Sequence, residues 1–142
     1  MSTFCLAMRD ALLKIDSYSV TTDAWSSGSL SCVAITIHYV ETGGADWKMQ
    51  KACLQVSKFN GSHSAEALAE YVEKAVDNIH MQQPITVKNS MKKRMWAAVA
   101  DGAAAQQKSF HCLGEEFNIW KFWCICHVIH LAVKGYFIFV YI

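Results

Sequence analysis

The chain has 142 residues, 53% of them hydrophobic and 18% charged, enough for one domain with a real core. Thirteen Lys and Arg against 12 Asp and Glu leave a net charge of +1, which excludes a globally basic nucleic-acid binder; any such partner has to be held by a local patch. A single proline and a mean hydropathy of +0.15 exclude a disordered chain.

In chain order, Phe4, Met8, Ala11, Leu12 and Ile15 recur at helical spacing, which predicts an amphipathic helix over 3–15. A first strand is expected over 17–24, ending near Asp23. After the turn-forming SSGS comes a β-branched strand, Ser31 to Val40, with Val33, Ile35, Ile37 and Tyr39 on one face. The run ETGG, Glu41 to Gly44, reads as a hairpin connection into a third strand, Asp46 to Ser57. A phase change between Met49 and Leu54 predicts a bulge there. Asn60-Gly61 marks a turn, and Ser62 or Ser64 can cap a helix to Ile79 whose buried stripe is Leu68, Val72, Val76 and Ile79. Pro84 and the polar run to Arg94 make a loop, and Trp96 to Ala100 a short apolar strand ending at Asp101. A helix over 103–113 stopped by Gly114, a fifth strand over 119–124 and a last helix from His127 complete the pass.

The order of elements is βββαβαβα with an extra N-terminal helix. A meander followed by two right-handed crossovers gives an α/β fold with a mixed five-stranded sheet, the order of an RNase H-like fold. The expected organisation is an N-terminal helix (1–16), a partial RNase H-like domain (17–135) and an apolar tail (136–142). On this topology the first and fourth strands are parallel neighbours, and Asp23 and Asp101 end them at the rim where open α/β sheets place ligands. Two carboxylates brought together repel unless a cation neutralises them, and oxygen ligands suit Mg²⁺ or Mn²⁺. Such ions can activate the nucleophile and stabilise the leaving oxygen in phosphodiester cleavage. Spacing alone leaves a second reading open, in which Asp23 precedes a turn and Asp101 caps a helix.

The runs TTDAW, ITIHYV, ADWK, FNGSHSAEALAEYV, AAVADGAAA and CICHVIHLAVK, in this order from about Ser17 to Lys134, resemble the catalytic domain of hAT-superfamily transposases. Host proteins derived from them, including BED zinc-finger proteins, are similar too. The resemblance implies metal-dependent DNA strand cleavage and transfer, with catalytic carboxylates at Asp23 and Asp101. The family's Cys-x-x-His element falls on Cys124 and His127, where it supports the site or contacts DNA. The following leucine/asparagine pattern falls on Ile129, His130 and Leu131. Gly102 stands where the family has an asparagine. The family's third carboxylate, a glutamate beyond a helical insertion, has no counterpart before Ile142, nor has its dimerisation region or BED finger. Glu66, Glu70 and Glu73, the local alternatives, fall opposite the buried stripe of their helix. The expectation is a truncated, nuclear, transposase-derived domain with two carboxylates and little activity alone. It would bind DNA weakly, or associate with full-length relatives or other proteins, and take no small-molecule substrate. A domesticated protein-interaction module is the alternative.

Four further features belong to this reading. His111, Cys112, Cys124, Cys126, His127 and His130 are soft ligands, but Cys-x-x-His is half of a zinc site, so buried thiols and a hydrogen-bonded histidine are expected rather than zinc. The loop VKNSMKKRM puts Lys88, Lys92, Lys93 and Arg94 before the strand to Asp101, where they could meet a phosphate backbone. The five tryptophans read as core anchors, and Cys5, Cys32 and Cys53 as small core residues. Six cysteines, with no charged-then-apolar leader in MSTFCLAMRD, fit thiols in a reducing nuclear or cytosolic compartment. Phe122 to Ile142 is apolar enough to be weighed as a membrane anchor, against the cost of Lys134, His127 and His130 within it.

Overall fold

A computed structural model describes residues 10–11, 13–41, 46–59, 64–79, 93–117 and 119–140. Three strands open the fold: β1 (Tyr18–Ser27), β2 (Leu30–Glu41) and β3 (Lys48–Lys58). They are followed by α1 (Ala65–Ile79), β4 (Met95–Ala100), α2 (Ala104–Phe117), β5 (Trp120–Trp123) and α3 (Ile125–Val140). The five strands form one mixed sheet in the order β3-β2-β1-β4-β5. The β1–β2 and β2–β3 pairs are antiparallel; β1–β4 and β4–β5 are parallel. The α/β class, the mixed five-stranded sheet and the adjacency of the first and fourth strands are as expected. The expected N-terminal helix is helical at 10, 11, 13 and 14; its other residues up to Leu12 lie outside the described residues.

Strand alternation sorts the sheet into two unlike faces. Tyr18 and Val20 of β1, Val33, Ile35 and Ile37 of β2, and Ala98 and Ala100 of β4 are buried in one cluster. Leu68, Val72 and Val76 of α1 and Phe110 and Leu113 of α2 join it, so both helices cover the same face. Between Ile35↔Gln55 and Thr36↔Cys53 the register leaves Leu54 unpaired, the bulge that the phase change predicts. Ser64 starts α1 as its cap, its hydroxyl accepting the Ala67 N–H at 3.2 Å. Asn60-Gly61, Ser62, His63 and Pro84 lie outside the described residues.

Several expectations are corrected. β1 runs on to Ser27, because Asp23 to Ser27 continue to pair with β2, so Asp23 lies within a strand and not at its end. α2 passes through Gly114 to Phe117; a glycine costs a helix about 1 kcal/mol, less than the burial of Phe110 and Leu113 that holds this one to the sheet. Trp25, Trp47, Trp96, Trp120 and Trp123 are all exposed rather than core, and so is Cys53; the core is filled by aliphatic residues, Tyr18 and Phe110. α3 continues to Val140, into the segment expected as an apolar tail. Among the described residues, no helix is long and apolar enough to cross a membrane, since β5 takes up the start of the apolar run.

Candidate functional site

β1 and β4 run side by side in the same direction, with Val20 opposite Ala98 and Thr21 opposite Val99. Two residues further along each chain stand Asp23 and Asp101, at matching positions where β4 ends and β1 outruns it. Thr22, Ala98 and Ala100 are buried on the core side, so alternation turns Thr21, Asp23, Val99 and Asp101 to the opposite face, away from α1 and α2. There they line a cleft of about 470 Å³ together with Thr22, His38, Cys124, Cys126 and His127.

Two sets of hydrogen bonds fix the acids. In the core, the Thr22 hydroxyl donates to Gln106 Oε1 of α2 at 2.9 Å, and the Ser109 hydroxyl donates to the Gln106 carbonyl at 2.7 Å. This ties the backbone next to Asp23 to the helix that follows Asp101. Asp101 Oδ1 accepts the Ala103 N–H at 2.9 Å, and Gln107 Nε2 donates to the Asp101 carbonyl at 2.6 Å. Asp101 therefore makes the turn that leads into α2, and this uses one carboxylate oxygen, leaving the other for a ligand. The two readings of this residue are compatible.

Cys124 and His127 reach the same cleft from the start of α3. The Cys124 N–H donates to the Ala100 carbonyl at 2.7 Å, pinning α3 to the residue before Asp101, and one helical turn separates the thiol from the imidazole. A neighbouring hollow continues past Asp101 and Gly102 to Trp123, His127, Val128 and Leu131. His38 closes the other side, 3.4 Å from the Thr21 hydroxyl; burial, then the charge of Lys51, pushes its pKa below the usual 6.5, so it is neutral at pH 7.

The remaining candidates lie elsewhere. Lys88 and Lys92 fall outside the described residues. Lys93 and Arg94 precede β4, at the opposite rim from the acids, a separation of roughly 20 Å along six residues of strand. Arg94 is occupied there: its guanidinium donates to the Leu13 carbonyl at 3.2 Å and the Ile15 carbonyl at 2.8 Å. Glu66, Glu70 and Glu73 ride on α1, across the sheet from the cleft; Glu66 pairs with Lys108 at 3.8 Å and Glu70 with Lys74 at 2.6 Å. His111 and Cys112 of α2 do not line the cleft, and Lys121 Nζ donates to His111 Nδ1 at 2.9 Å. The five described cysteines are free thiols.

Among the described residues, no three His, Cys, Asp or Glu side chains converge as a ready-made metal cage. Two carboxylates nevertheless suit Mg²⁺, which keeps much of its water and is held by one or two carboxylates plus substrate phosphates. No protein-family model matches the chain, and no curated protein is significantly similar to it.

Proposed function

We propose that this chain is the RNase H-like portion of an hAT-type transposase, carrying the first two of that family's three catalytic carboxylates. Its ancestral chemistry is divalent-metal-dependent DNA strand cleavage and transfer, and its compartment the nucleus. The supporting observation is the matched placement of Asp23 and Asp101 on parallel neighbouring strands, in one cleft with Cys124 and His127. In this reading Asp23 and Asp101 hold Mg²⁺ or Mn²⁺, and His127 and Cys124 shape the wall that meets the DNA. A metal bound there would supply charge neutralisation at the phosphate and a more acidic nucleophile. With two carboxylates lining the cleft, the chain binds metal weakly and does not turn DNA over by itself.

The test is a Mn²⁺ titration read by tryptophan emission, since Trp25 lies two residues from Asp23 on the same face of β1 and is exposed. A saturable change in the wild type that disappears in both Asp23→Ala and Asp101→Ala is the expected result. Superimposable titrations of all three proteins would sink the reading.

A second reading, a domesticated protein-interaction module, draws on the apolar side chains left in solvent on α3, where Ile125, Ile129, Leu131 and Val133 are exposed. A protein partner bound at physiological salt, with no affinity for DNA, would favour it.

A further inference from the structure

The β1–β4 pairing contains an irregularity that the acid cleft does not use. Tyr18 faces Met95 and Ser19 faces Ala97, so Trp96 is one residue too many on β4. Under regular alternation Trp96 would share the buried face of Ala98 and Ala100. The bulge turns it to the face opposite α1 and α2, beside Ser19 and His38, where it stays 51% exposed. A tryptophan in the core would bury a large apolar area, and the fold forgoes that gain.

Around Trp96 lies a cleft of about 290 Å³, walled by Met49 and edged by Asp16, Ser17, Ser19 and His38. Its size admits one flat heteroaromatic group and not a duplex. The edge offers two hydroxyls, a carboxylate and a neutral imidazole, which carries one donor and one acceptor nitrogen. An aromatic platform beside mixed donors and acceptors is the chemistry that takes a nucleobase by its face and edge. His38 lines both this cleft and the acid cleft, so the two are neighbours on the same face of the sheet. Five strand residues, about 17 Å, separate Trp96 from Asp101. Exposed cations flank the path: Lys51 lies opposite His38 on β3, and Lys93 just precedes β4.

We infer that the cleft at the amino end of β4 is a base-stacking subsite, in which one unpaired nucleobase of a DNA strand lies on Trp96 while the strand runs over the sheet toward Asp23 and Asp101. The inference rests on the nucleic-acid reading above, and it names the form of substrate as single-stranded at that distance from the acids. Asp16 at the edge can accept from the exocyclic amine of cytosine, adenine or guanine, a group that thymine lacks.

The test is fluorescence anisotropy of a short fluorescein-labelled oligodeoxycytidylate with the full chain in EDTA, so that metal binding plays no part. Trp96→Ala is expected to weaken binding about 5- to 150-fold, the equivalent of the 1–3 kcal/mol that stacking contributes, while Trp96→Phe keeps most of the affinity. One abasic position in the oligonucleotide should reproduce the loss in the wild type and add nothing to Trp96→Ala. Equal affinity of Trp96→Ala and wild type, or an equal loss with a blunt duplex, overturns the subsite. A thermal midpoint shared by the three proteins establishes that the fold is intact. The two ideas fail separately: the metal titration reports on the acids alone, and binding in EDTA on Trp96 alone.

Discussion

Thr22 and Gln106 meet inside the protein, one hydroxyl and one amide with the core closed around them. Replacing Thr22 by Val keeps the shape but strands the buried Gln106 oxygen, at a cost of about 1–3 kcal/mol. Urea unfolding should register that loss, and the same variant should blunt the Mn²⁺ response, because Asp23 is the next residue. His38 gives a second prediction. Its folded pKa lies below the ordinary 6.5, so the unfolded chain takes up the proton first as pH falls. The stability tied to neutral His38 is intact above 6.5 and declines as pH drops below it toward the folded value. His38→Gln should flatten part of the fall in urea midpoint between about pH 7 and pH 5. At this scale the acids were legible, because an aspartate beside a β-branched run stands out. Trp96 was not: one unpaired residue reverses the side chains beyond it, and hydropathy does not record pairing.

The elements divide by how much of their order is local. The β2 stripe of Val33, Ile35 and Ile37 and the α1 stripe of Leu68, Val72 and Val76 were readable because each is periodic within one element. Gly114 misled because a local stop signal competes with tertiary burial, and here Phe110 and Leu113 decide the outcome. Phe110, fully buried between α2 and the sheet, should cost about 3–5 kcal/mol when truncated to Ala, measured by chemical denaturation. α3 behaves oppositely. From Ile125 to Lys134 only His127 is less than exposed, and the Cys124 N–H bond to the Ala100 carbonyl is what ties this stretch to the sheet. Brief trypsin treatment should cut after Lys134 while leaving a fragment that unfolds at the parent's midpoint; simultaneous loss of the sheet would show that α3 is integral to it.

For the whole molecule, the arrangement of strands was inferable from element order and the handedness of crossovers, and the sheet follows it. What no single stretch of sequence reveals is how the surface is shared out. Both covering helices lie on one side, and the acids, Cys124, His127, His38 and Trp96 gather on the other. Convergence of that kind needs the pairing of strands distant in the chain.

The parallel contact between β1 and β4 has a kinetic consequence. It bridges segments separated by two strands and a helix, and such long loops close late in folding. Half-folded chains, even with the β1–β2–β3 meander formed, own no acid cleft. A ligand spanning Asp23 and Asp101 should therefore slow the unfolding limb of a chevron and leave the refolding limb where it was.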